Sequence, residues 1–202
     1  MTKVIRSKRP AKMSRADYIK CAVVCYLRYV RQFPVVSIET KALLTNSGRS
    51  DRADVLALDK DHALTEVEVK SSIIDLKNDA DKRIHKDFKT PGRNPSPYPV
   101  HYFYFAIHED MKDKALAHIT AEHPYAGILL VGDAKMFINI REPVVKLIRE
   151  PRRMLKPTLT KLQFIYMLRS MSSTICRQMY NGNFPKFPLN KKGTKAEEEE
   201  ID

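Results

Sequence analysis

At 202 residues, 43% of them apolar, the chain is long enough to bury a core of its own. No apolar run approaches the roughly 18 residues that a membrane-spanning helix needs, and no apolar stretch follows the basic start "MTKVIRSKRPAKMSR" at signal-peptide distance. A membrane partner and secretion are therefore not expected, and the net charge of +12 suits a phosphate backbone or another anionic surface.

Residues 1–13 read as a basic flexible arm. Ser14 followed by Asp17 signals the start of a helix, in which Tyr18, Ala22, Cys25, Tyr26, Tyr29 and Phe33 recur at helical spacing until Pro34. Cys21 and Cys25 lie one turn apart in this pattern. With Cys176 they make an odd count without a CxxC, which predicts a reducing compartment and buried thiols used as small core residues. "VVSIETKALL" (35–44) reads as a strand. "RADVLAL" (52–58) and "ALTEVEVK" (63–70) read as two more, joined by "DKDH" as a hairpin.

A helix is expected from about Asp75, with Ser71 or Ser72 as its cap. A Pro-rich loop (91–99) then leads to the aromatic strand "VHYFYFAI", whose rings are expected to fill the core. Residues 110–122 predict a short helix, "AGILLVGD" a buried strand, and "KMFINIREPVVKLI" a strand or hairpin near the sheet edge, since Pro143 cannot donate to a ladder. Residues 157–180 predict a long helix with Leu162, Ile165, Tyr166, Leu168, Ile175 and Met179 on its apolar face. From 181 to 202 the composition becomes Pro- and Lys-rich and then acidic, as in a disordered tail. The order predicts one α/β domain over 14–180, a mixed central β-sheet flanked by helices.

The hairpin carries the chemistry. Side chains alternate along a strand, so Glu66, Glu68 and Lys70 share one face, with Glu68 and Lys70 about 7 Å apart. Asp54 sits among apolar residues on the preceding strand, where an unpaired carboxylate is costly; it must meet a metal, a cation or solvent. Across the hairpin Asp54 and Glu68 converge. Two carboxylates, with the carbonyl of Val69 as a further ligand, suit a hard divalent ion, Mg²⁺ or Mn²⁺, and Lys70 then addresses a bound water or developing negative charge. A hairpin ion pair at Asp54 and a solvated polar face at Glu68 and Lys70 are the plainer readings. Glu66 is expected at a solvated strand end. His85, His101, His108, His118 and His123 show no paired ligand spacing and are expected on the surface or in packing roles. No phosphate-binding loop, dinucleotide fingerprint or nucleophile elbow is present.

Asp54, thirteen intervening residues and then Glu-x-Lys on adjacent strands resemble the signature of the PD-(D/E)XK nuclease superfamily. The succession "GRSDRADVLALD", "TEVEVKSSIIDLKNDADK", "HYFYFAI", "AGILLVGD" and "RRMLKPTLTKLQFIYMLRSM" is similar to the MmcB-like DNA repair proteins, over roughly residues 14–178. The resemblance implies a restriction-endonuclease-like fold and a metal-dependent DNA endonuclease, with Asp54 and Glu68 on the metal and Lys70 catalytic. It also implies an upstream acid, for which Glu39 on the first strand and Asp17 on the first helix compete, Glu39 being preferred because Asp17 already suits a helix start. Ser71, Asp75, Asp79 and Lys82 follow the family motif. Arg52, Ser71, Lys82, Arg83 and Lys86 are the expected nucleic-acid contacts. The implied setting is DNA repair, processing or mobile-element conflict in the cytoplasm, on the nucleoid; a homodimer is left open. The alternatives are a non-cleaving nucleic-acid-binding or complex-forming module, and a nuclease directed at RNA.

Overall fold

Six strands form the central sheet, side by side in the order Val35–Lys41, Arg52–Leu58, Leu64–Lys70, Val100–His108, Gly127–Val131 and Val145–Arg149. The computed structural model describes residues 13–41, 52–81, 85, 89, 100–133, 135–137, 140–142, 144–154 and 159–180. The arm before Met13, the tail from 181, the Pro-rich loop 91–99, and Lys82, Arg83 and Lys86 lie outside the described residues. Helix α1 (Arg15–Cys25) runs into a π-helical turn (Tyr26–Val30). Strands β1 (Val35–Lys41), β2 (Arg52–Leu58) and β3 (Leu64–Lys70) follow as an antiparallel meander. Helix α2 (Ile73–Lys77) continues as a 3₁₀ turn (Asn78–Asp81). Strand β4 (Val100–His108) is parallel to β3, and β5 (Gly127–Val131) is parallel to β4, reached through α3 (Lys112–Glu122). A small hairpin of β6 (Lys135–Phe137) and β7 (Ile140–Glu142) precedes the antiparallel edge strand β8 (Val145–Arg149), and α4 (Lys161–Tyr180) closes the described chain. This is the expected α/β class with a mixed sheet between helices.

Period-two alternation sends Val55, Ala57, Val67, Val69, Tyr104 and Ala106 to one face, under Ile19, Ala22 and Val23 of α1 and Leu27 of the π-helical turn. Leu56, Leu58, Leu64, Phe103, Phe105 and Ile107 go to the other, under Leu76, Ala115, Ile119 and Met167 of the remaining helices. Each large side chain so buried contributes about 1.5–3 kcal/mol. The turn between β2 and β3 is built by Asp59, whose carboxylate accepts from the N–H groups of Asp61 and Ala63.

Several sequence expectations shift by one helical face or one strand environment. Cys21, Cys25 and Cys176 are free thiols but exposed, not core residues. The fully buried stripe of α1 and its π-helical turn is Ile19, Ala22, Val23 and Leu27; of the residues read from the spacing, Ala22 belongs to it, Tyr18, Tyr26 and Phe33 pack half-buried against the same core, and Cys25 and Tyr29 are exposed. The same happens on α4: Met167 and Thr174 are buried and Phe164 and Met171 pack on the core, whereas Leu162, Ile165, Tyr166, Leu168 and Ile175 are exposed. Glu66 is buried, because β3 lies inside the sheet with helices over both faces. Helix α2 begins at Ile73, two residues earlier than expected, because Ser72 Oγ accepts from the Asp75 N–H at 3.1 Å.

Candidate functional site

Strands β2 and β3 pair from Leu58↔Leu64 to Val55↔Val67, and the ladder ends there. Beyond that point the side chain of Asp54 replaces a main-chain acceptor: its Oδ2 accepts from the Val69 N–H at 2.9 Å. Continued by one step, the register sets Asp54 opposite Glu68. Asp54, Glu68, Val69 and Lys70 line one cleft of about 350 Å³, together with Lys20 of α1 and Asp79 beyond α2.

Lys70 has only 3% of its side chain exposed, so its ammonium needs counter-charges close by. It has them: Nζ lies 3.0 Å from Glu68 Oε1 and 2.6 Å from Asp79 Oδ1, with Asp75 Oδ1 at 3.9 Å. On the other side, Lys20 Nζ lies 3.0 Å from Asp54 Oδ1 and 3.2 Å from Glu39 Oε1. Burial works to lower the Lys20 pKa, but the hydrogen bonds and charges of Asp54 and Glu39 together raise it above the ordinary lysine value.

Glu39 sits on β1 between the pairs Ile38↔Val55 and Thr40↔Ala53, and so beside Asp54 across the β1–β2 seam. Its backbone φ of 48° lies in the left-handed region, a conformation that costs a non-glycine residue about 1–3 kcal/mol. Glu39 is bonded to Lys20, and Arg52 Nη1 stands 3.4 Å away. Asp17, its competitor, is exposed in the cap of α1, where Ser14 Oγ donates to Asp17 Oδ2 at 2.7 Å. Arg52 is exposed at the start of β2, and Ser71 is half-buried just after β3.

Behind Lys70 lies a group that the histidine spacing does not reveal. Asp79 Oδ2 is 2.6 Å from His85 Nε2, and His85 Nδ1 is 2.6 Å from the Tyr125 hydroxyl. That hydroxyl is 3.1 Å from His123 Nδ1. His85 and His123 are fully buried, so the packing role expected of them holds, with specific partners added. Lys20 also escapes the strand-based reading; its one trace in the sequence is Ala16, a small residue one turn earlier that lines the same cleft.

The cleft carries four carboxylates, Asp54, Glu68, Asp75 and Asp79, against the two lysines. A strongly basic chain thus holds an acidic pocket, which attracts cations and by itself repels a phosphodiester. Among the described residues no three His, Cys, Asp or Glu side chains form a ready-made cage. Two carboxylates lining one cleft are nevertheless the donor type of a hard divalent ion whose shell is completed by water.

By sequence, the family model described as DNA repair protein MmcB-like matches residues 8–111. That span holds Lys20, Asp54, Glu68, Lys70, Asp79 and His85, whereas His123 and Tyr125 lie beyond it. No curated protein matches the chain. Among solved structures, a protein of unknown function from Silicibacter pomeroyi is similar in fold, with a TM-score of 0.53 at 14% identity over 89% of this chain and 99% of that one. Among the described residues no helix is long and apolar enough to cross a membrane. With the family model spanning more than half of its length and the whole β1–β4 core, the chain belongs to the MmcB-like family of DNA repair proteins.

Proposed function

We propose that this protein is a divalent-metal-dependent endonuclease of the PD-(D/E)XK type that cuts or nicks DNA in repair. The observation that carries the reading is that Asp54, Glu68 and Lys70, from two adjacent strands, line one acidic cleft. Mg²⁺ or Mn²⁺ would be held by Asp54, Glu68 and the carbonyl of Val69, and when bound supplies charge stabilisation at the phosphodiester and a more acidic water. The ammonium of Lys70, fixed between Glu68 and Asp79, offers a positive charge to the attacking water or to the oxygen on which charge develops. Lys20 meets Asp54, and Glu39 meets both Lys20 and Arg52. Arg52, with Ser71, Lys82, Arg83 and Lys86, contributes phosphate contacts, which makes the affinity salt-dependent.

The test is a cleavage panel on supercoiled, single-stranded and junction DNA with Mg²⁺, Mn²⁺ or EDTA, and Asp54→Ala as control. Cleavage that requires the metal and vanishes in the control is the expected result. Cleavage of RNA but not DNA would redirect the same chemistry to the other polymer.

A second reading is a non-cleaving DNA-binding or complex-forming module on this fold. It is favoured by one observation: both acids already have lysine partners, Asp54 with Lys20 and Glu68 with Lys70. Salt-sensitive DNA binding without nicking under either metal would select it. Sedimentation with and without DNA decides whether the protein acts as a homodimer.

A further inference from the structure

We propose that Asp79, backed by a one-way hydrogen-bond chain running from His123 through Tyr125 and His85, is the positioning residue that holds the Lys70 ammonium at the cleft. The inference rests on the nuclease reading only for its kinetic consequence. The chain itself follows from donor accounting among buried groups.

Lys70 presents only donors to Asp79 Oδ1, so Asp79 is the accepting carboxylate. Its other oxygen, Oδ2, then accepts from His85 Nε2–H. A neutral His85 with its proton on Nε2 has a bare Nδ1, which must accept the Tyr125 hydroxyl proton. The Tyr125 oxygen in turn accepts from Nδ1–H of His123. What remains is His123 Nε2, which is buried and makes no hydrogen bond among the described residues. In this arrangement that atom is a lone pair. Were His85 a cation, Tyr125 would donate to His123 instead, and the buried Nε2 would carry an orphaned N–H, the costlier outcome. Burial also holds the His123 pKa down to about 3, so the terminal ring is neutral near pH 7, and it raises that of Tyr125, which stays a phenol.

Every donor thus points towards Asp79. The members are closed off from solvent: the side chains of Lys70, Asp79 and His85 are 3%, 1% and 0% exposed. The ring of His85 is packed edge-on against Phe103, with centroids 5.3 Å apart, and lies 4.5 Å from His123. An acid so braced cannot rotate away from Lys70. Its charge fixes the ammonium on the cleft side, where Glu68 meets it.

The tautomers are read by ¹⁵N NMR on the full chain near pH 7. His85 is expected as the Nε2–H form, and His123 as the less common Nδ1–H form. Lys70 is expected to show an ammonium ¹⁵Nζ resonance protected from exchange, identified by its absence in Lys70→Met. Tyr125→Phe keeps the ring and removes the link. It should release the His123 tautomer and lower kcat about tenfold with KM for DNA unchanged. Asp79→Asn should abolish the protected Lys70 signal. A wild-type His123 in the Nε2–H form, or Tyr125→Phe and Asp79→Asn variants with full kcat, would overturn the proposal. A wild-type protein that cleaves nothing sinks the nuclease reading alone, because the tautomers and the Lys70 resonance still decide the chain.

Discussion

The ammonium of Lys20 lies 3.0 Å from Oδ1 of Asp54, on the side of that carboxylate opposite the Val69 hydrogen bond. A residue of the first helix therefore neutralises the acid that the second strand presents. On the proposed reading, a divalent ion entering the cleft competes with it. Removing one positive charge a few ångströms from a divalent ion is worth on the order of 1–2 kcal/mol after solvent screening. Lys20→Ala should bind Mn²⁺ about tenfold more tightly, measured by calorimetry or EPR. Unchanged affinity would show that the ammonium does not stand in the ion's way.

Asp54 has two separable roles, and two substitutions separate them. Asp54→Asn keeps an oxygen for the Val69 N–H and loses the charge, whereas Asp54→Ala loses both. Both should reduce cleavage at least a hundredfold, with DNA affinity held within about twofold. Both also lose the ion pair with Lys20, so Asp54→Ala should be about 1 kcal/mol less stable than Asp54→Asn, read from urea denaturation. Equal stability of the two variants would mean that the Val69 bond contributes nothing.

The buried His123 predicts a pH dependence of folding with a definite sign. Its folded pKa of about 3 lies below the reference 6.5, chiefly because burial penalises the charged ring. Between these values the unfolded chain binds the extra proton, so stability is full above about pH 6.5 and falls as the pH drops towards 3. At about 1.4 kcal/mol per unit the loss reaches a few kcal/mol. His123→Leu should flatten this part of the profile in denaturation curves collected at pH 7.5 and pH 5. A wild-type profile flat over that range would show that the ring is not held neutral.

Helix α4 offers a test of which face matters. Met167 is buried against the core and Leu162 is 60% exposed. Met167→Ala should cost about 2–5 kcal/mol in chemical denaturation, and Leu162→Ala less than about 0.5 kcal/mol. The reverse order would restore the face read from the sequence.

The hairpin and its acids were legible because they obey local rules. Strand alternation put Glu68 beside Lys70, an antiparallel turn across "DKDH" put Asp54 opposite them, and the serine pair before Asp75 offered the helix cap. What was not legible depends on which side of an element is covered. The i, i+3, i+4 periods of α1 and α4 were correct, but composition favoured Tyr29 and Leu162 over Val23 and Met167, and only packing against the sheet decides between them. Glu66 reads as a solvated residue until β3 is known to lie inside the sheet. Lys20, His85, Tyr125 and His123 reach the site from elements distant in sequence, and no spacing rule links residue 20 to 54 or 79 to 123.

Because the carboxylate of Asp54 stands in for a main-chain acceptor of Val69, the chemistry proposed for this acid and the architecture of the hairpin share one atom pair. On the nuclease reading, truncating this acid would open the seam between two strands as well as remove a metal ligand. A lineage drifting towards binding without cutting therefore has an economical route through asparagine, which keeps the seam closed, and a costly one through alanine. The residue at position 54 in related chains would accordingly report whether an inactive relative was selected for its surface or was merely decaying.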